Sequence, residues 1–276
     1  MTIGAQEVNK LRQMTGLGMM DCKAALVDAA GDFDKAIEIL RLKGKRIGDG
    51  RADRETNEGV VFAEINAEGT RGVLLSFNCE TDFVAKNKDF MNLGAVITHQ
   101  AFEERPVDIA ALKRLHIDGV SIAEKILEAT AKIGEKLEIS NMEVLESEAV
   151  VAYIHANHKL GVLVGLKNVG RADVTTAGKD VAMQIASMNP LALDKEGVDA
   201  STVEKEIEIG KEQARQEGKP EQIIEKIAQG KLQKFFKENT LLSQVFVKDS
   251  SVNISQYLDR VSKGLTVTAF KRIHIG

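Results

Sequence analysis

The chain has 276 residues, enough for more than one globular unit. Apolar residues make up 43% and charged residues 28%, with 37 Lys and Arg against 41 Asp and Glu, a net charge of −4. This balance argues against a nucleic-acid coat, which needs surplus cations to displace counterions, and no apolar run reaches the roughly 20 residues that span a bilayer.

Residues 5 to 55 read as three short helices. Val8, Leu11 and Met14 fall at helical spacing, and Thr15-Gly16-Leu17-Gly18 breaks that helix. Cys22, Ala25, Leu26 and Ala29 share a face of the second helix, which Gly31 stops. Asp32 is the N-cap of a third helix carrying Phe33, Ile37 and Leu40, and Gly44 is expected to end it. So small a bundle buries little surface and suits docking. Arg41, Lys43, Lys45 and Arg46 invite a helix-turn-helix reading, but residues 1 to 56 hold ten Lys and Arg against nine Asp and Glu, so no basic face dominates. The polar run 48 to 58 reads as a linker.

The middle of the chain repeats itself. Glu58 to Ala63 matches Glu148 to Tyr153 at an offset of 90, and Gly72-Val73-Leu74-Leu75 matches Gly161-Val162-Leu163-Val164 at 89. Each unit opens as a β-hairpin, turned at Asn66 to Thr70 and at Asn157-His158-Lys159, followed by a helix near 88 to 103 and 174 to 188. Ser121 caps a helix that ends at Gly134, and Leu137 to Val144 closes the first unit. In the second unit a polar helical hairpin, 201 to 238, intervenes and turns at Gly218-Lys219-Pro220. Its narrow apolar seams predict an antiparallel coiled coil. A helix from Ile254, ended by Gly264, and a strand Leu265 to Ile273 complete the repeat. The fold class is α+β: a three-helix module, two duplicated halves and a hairpin inserted in the second. The boundaries fall at 1–55, 56–146, 147–200, 201–238 and 239–276.

Motifs for covalent chemistry are missing. None of the five Gly-Lys pairs completes a P-loop, and there is no Gly-x-Ser-x-Gly or His-Glu-x-x-His. His155 and His158 lack a third zinc ligand nearby and read as polar residues at a hairpin tip. Glu80 and Asp82 are the one acidic pair in an apolar setting, a pattern too common on surfaces to specify acid/base catalysis. Cys22 and Cys79 read as buried reduced thiols. Met1 to Glu7 resembles neither a signal nor a transit peptide, which predicts a cytoplasmic protein. No cofactor, metal, membrane or direct nucleic-acid contact is expected, and the chain reads as a binder rather than an enzyme. Two segments suit binding: Met19-Met20 at a helix start, and Thr81-Asp82-Phe83-Val84, which sets an aromatic ring on a loop tip after a strand. The residues alone leave open whether Phe83 folds inward or meets a partner.

The run Leu11 to Leu26 (LRQMTGLGMMDCKAAL) and the run Asn78 to Lys86 (NCETDFVAK) resemble signatures of the elongation factor Ts family. Lys132-Ile133-Gly134-Glu135, His155 with Gly161-Val162-Leu163-Val164, and Val267-Thr268-Ala269-Phe270 continue the resemblance in order along the chain. It implies a guanine-nucleotide exchange factor for elongation factor Tu that contributes no bond chemistry of its own. The three helices, of a ubiquitin-associated-like type, would dock on the GTPase through Leu11, Met19 and Met20. Thr81, Asp82, Phe83 and Val84 would enter near the nucleotide, with Phe83 as a wedge and Asp82 disturbing the Mg²⁺ region. Ile133, Gly134 and His155 match further contact positions. The hairpin would touch the partner or pair two copies as a homodimer. Some members carry a helix beyond the position of Gly276, and its contacts are expected to be missing.

Overall fold

A computed structural model describes Ile3–Gly276, the side chain of Asp49 excepted; Met1 and Thr2, which head the segment read as free of a signal peptide, lie outside the described residues. The fold is α+β. Helices α1 (Ala5–Thr15), α2 (Met19–Asp28) and α3 (Phe33–Asp49) close on Val8, Leu11, Cys22, Ala25, Leu26, Ala36 and Leu40. Gly16 ends α1 at φ +67°, a left-handed conformation that favours glycine, and Asp32 caps α3 by accepting from the Asp34 and Lys35 amides.

The expectation that α3 stops at Gly44 is corrected: it runs on to Asp49, so the polar linker starts later. Gly44 and Gly48 are there for close approach rather than termination. A Cβ on Gly44 would lie 3.0 Å from the Ala131 methyl, and one on Gly48 2.9 Å from Leu127 Cδ1.

Next come β1 (Glu58–Ile65), β2 (Arg71–Cys79), α4 (Asp82–Ala85), α5 (Lys88–Glu104), α6 (Ile109–Arg114), β3 (His116–Ile117), β4 (Val120–Ser121), α7 (Ile122–Ile133) and β5 (Leu137–Glu146). Then follow β6 (Ala149–Ile154), β7 (Leu160–Lys167), α8 (Thr175–Met188), α9 (Ala200–Gln216), α10 (Glu221–Asn239), β8 (Val245–Phe246), β9 (Asp249–Asn253), α11 (Ile254–Val261) and β10 (Thr266–His274). The sheets run β1-β2-β5 and β10-β7-β6, so in each half the closing strand pairs with the second strand of the hairpin. This shared order is the structural form of the repeat. In the second sheet Val151 faces Val164 and Tyr153 faces Val162, antiparallel. The short α6, β3–β4 and β8–β9 carried too few apolar repeats to be read in advance. α11 ends at Val261, before Gly264.

Contacts divide the described residues into two compact units. One holds the chain up to Phe62, Leu75–Met142 and His274–Gly276; the other holds Ala63–Leu74 and Glu143–Ile273. The second is centred on Val162, Val164, Leu166, Val181, Ile185 and Leu258. Its arm, α9 and α10, closes at Gly210, where a Cβ would sit 3.1 Å from Ala228 Cα. Lys211–Glu225 (3.1 Å) and Lys231–Glu217 (3.2 Å) join the two helices at the surface.

Candidate functional site

Every residue of β2 is buried, which drives the strand through the interior and delivers Thr81 to its far end. Phe77 stacks on Phe90 of α5 with centroids 4.6 Å apart, and the Asn78 amide donates to the Thr56 carbonyl at 2.9 Å. Thr81 caps α4, its hydroxyl accepting from the Val84 amide at 3.4 Å. Val84 and Ala85 turn inward and anchor the turn. Phe83 turns outward and is 82% exposed. The expected loop tip is thus corrected to a one-turn helix held at both ends. Asp82 accepts from Lys86 at 2.6 Å in an exposed i,i+4 pair, and that bond raises the Lys86 pKa. Such exposed pairs are screened by solvent and weak.

Glu135 grips the turn from the loop after α7. Its carboxylate accepts from the Thr81 amide at 3.1 Å and from the Thr81 hydroxyl at 2.8 Å. Glu80 accepts from Arg51 at 2.7 Å and from the Lys136 amide at 2.6 Å. Burial acts to raise the Glu80 pKa, but the Lys136 amide and the Arg51 guanidinium outweigh it and hold the group below its usual range. The Cys79 thiol, fully buried, is pushed up to about 12 by burial first and by the charge of Glu135 second. It is an inert thiol.

Around this turn the first unit gathers most of the residues singled out in the sequence. Gly134 caps α7 in the left-handed region, φ +83°, and donates its amide to Thr130. Ile133 and Gly134 are half-buried. One turn back, Lys132 pairs with Asp89 of α5 at 2.7 Å, and a Cβ on Gly16 would lie 3.1 Å from its ammonium nitrogen. The α1–α2 turn therefore lies against the end of α7, and Met19 and Met20 stand exposed directly after that turn. Beside it a cleft of about 490 Å³ opens between α1, α3 and α7, lined by Met14, Leu17, Leu40 and Leu127, and Arg41–Glu128 (3.3 Å) spans the two sides.

Leu11 is corrected: it is fully buried in the three-helix core and offers no surface. Met14, spaced with Val8 and Leu11 along the helix, is the exposed large apolar residue of α1. Its helical spacing alone did not say which face meets solvent. Glu135, Arg51 and Lys136 were missed as supports, although Glu135 stood within a quoted motif. His155 belongs to the second unit. It is exposed at the β6–β7 turn, and its Nδ1 shares a 2.8 Å hydrogen bond with the Tyr153 hydroxyl. No group of three His, Cys, Asp or Glu suited to a metal, and no helix long and apolar enough to cross a membrane, occurs among the described residues.

Exposed apolar side chains on a tightly braced frame, with Phe83, Met19 and Met20 facing solvent, suit contact with a partner. Comparison with known proteins sharpens this to a translation elongation factor. The family model described as Elongation factor TS matches residues 80–276. Proteins named Elongation factor Ts from Cytophaga hutchinsonii and Amoebophilus asiaticus are 54% and 52% identical, over 99% and 100% of both chains respectively. That of Chlorobium phaeobacteroides is 38% identical over 99% of both chains. The chain belongs to the elongation factor Ts family.

Proposed function

We propose that the chain is a guanine-nucleotide exchange factor acting in the cytoplasm on elongation factor Tu, which it binds in the nucleotide-free form. The observation that carries this reading is Phe83, an aromatic ring 82% exposed on a turn braced from both sides. An isolated exposed ring on a rigid mount suits insertion between partner side chains, because little ordering entropy is lost on docking. The three-helix module docks on the GTPase domain through Met19 and Met20, soft apolar side chains fitted to such a contact. Asp82 leaves its weak pair with Lys86 and disturbs the partner's Mg²⁺ region. Ile133, Gly134 and His155 add further contacts.

The mechanism is coupling between sites. A factor that weakens GDP binding by some ratio is itself weakened by GDP in the same ratio. Release of a tightly held nucleotide calls for more than the usual 1–3 kcal/mol of coupling, and displacing the ion that neutralises phosphate charge is an efficient source of it. No covalent bond is made or broken. The test is release of fluorescent GDP from elongation factor Tu with and without the chain. Acceleration supports the reading, and an unchanged rate at large molar excess overturns it.

A further inference from the structure

Thr81 is the joint between the buried end of β2 and the turn that presents Phe83. Its hydroxyl is used twice, donating to Glu135 at 2.8 Å and accepting from the Val84 amide at 3.4 Å, while its own amide donates to the other Glu135 oxygen at 3.1 Å. Two donors converge on two acceptor oxygens, which a carboxylate meets with two charge-assisted bonds; a carboxamide keeps the amide bond only as a neutral one and must turn the hydroxyl round to accept. The bonds are charge-assisted and partly sheltered. Glu135 follows Gly134, whose left-handed cap turns the chain out of α7 and sets the carboxylate toward Thr81. Apart from Val84 and Ala85 packing inward, these bonds fix the direction in which Phe83 leaves the fold.

We propose that Glu135 is a positioning residue for exchange, a bidentate clamp on Thr81 that aims Phe83 without itself meeting the nucleotide site. This rests on the exchange reading above. A clamp that aims a wedge acts on the step in which the wedge works. Its loss therefore lowers the maximal exchange rate more than it raises the half-saturating concentration, since the methionine contact remains. Misplacement by about 1 Å at such a site costs up to about 100-fold.

The experiment measures fluorescent-GDP release from elongation factor Tu over a range of full-length factor, together with the thermal midpoint of each variant. Glu135→Gln, nearly isosteric, is expected to lower the maximal rate about tenfold or more with little change in half-saturation or midpoint. Thr81→Val deletes the hydroxyl bond from the other end, together with the cap on the Val84 amide, and should lower the maximal rate at least as much. In a Phe83→Ala background Glu135→Gln should add no further loss, because the clamp then aims nothing. The assignment is overturned by wild-type exchange in Glu135→Gln and Thr81→Val, or by a loss that multiplies fully onto Phe83→Ala. A wild-type chain that leaves GDP release unchanged overturns the exchange reading itself, an outcome distinct from either.

Discussion

Replacing Phe83 with alanine separates folding from function more cleanly than any other single change. A phenylalanine side chain offers ~200 Å². At 82% exposure Phe83 hides only about a fifth of that in the fold, ~40 Å², worth ~1 kcal/mol at ~25 cal/mol per Å². The same substitution at the fully buried Phe77 is expected to cost ~3–5 kcal/mol. The exposed ~160 Å² is available to a partner and is worth up to ~4 kcal/mol there, close to a thousandfold. Phe83→Ala should therefore reduce GDP release by two to three orders of magnitude, roughly, while the urea midpoint falls far less than in Phe77→Ala. Stopped-flow release of fluorescent GDP and equilibrium unfolding followed by circular dichroism measure the two quantities on one preparation. A variant that unfolds as readily as Phe77→Ala would show that the ring is structural, and one with intact exchange would remove it from the mechanism.

Leu11→Ala should cost ~2–5 kcal/mol and loosen the three-helix module; hydrogen exchange over residues 5–49 checks this, and unchanged protection would contradict the burial of Leu11. Cys79 should resist thiol reagents at pH 8 in the native protein and react on unfolding. Because its folded pKa is raised to about 12 from 9.0, the unfolded chain loses the proton first, so this group's contribution is intact below about pH 9 and falls as pH rises from there. Cys79→Ala should flatten that alkaline decline, and a steeper one would contradict the sign. Ile209 and Ile223 are exposed on the α9–α10 arm. A homodimer built through the arm is expected to give twice the chain mass in light scattering and to revert to one chain mass in Ile209→Glu/Ile223→Glu; a mass that ignores both substitutions removes that interface.

Local patterning was legible wherever an element's own residues decide it. The Asp32 and Ser121 caps, the β1–β2 and β6–β7 hairpins, and the seam of the arm follow from side-chain capping, period-2 alternation and period-3.6 apolar spacing, and all lie at the expected places. The duplication was also visible, since each half repeats the same run of strand residues. Gly44 was misread because a glycine that ends a helix and one that lets another helix approach look the same in sequence; the Ala131 methyl 3.0 Å away decides between them. Leu11 was given a contact by resemblance although it is core, and helical spacing does not show that the stripe it shares with Val8 stops short of Met14.

What the residues determined by themselves was the order of the longer elements, the internal repeat and the family, because each is written in short-range periodicity and contiguous motifs. What only the tertiary structure decided was which way Phe83 points, that Leu11 is core, and that Glu135 reaches across 54 positions to hold Thr81. Those are long-range outcomes: side-chain exposure and a two-oxygen clamp exist only once β2 and the end of α7 have been packed into one unit.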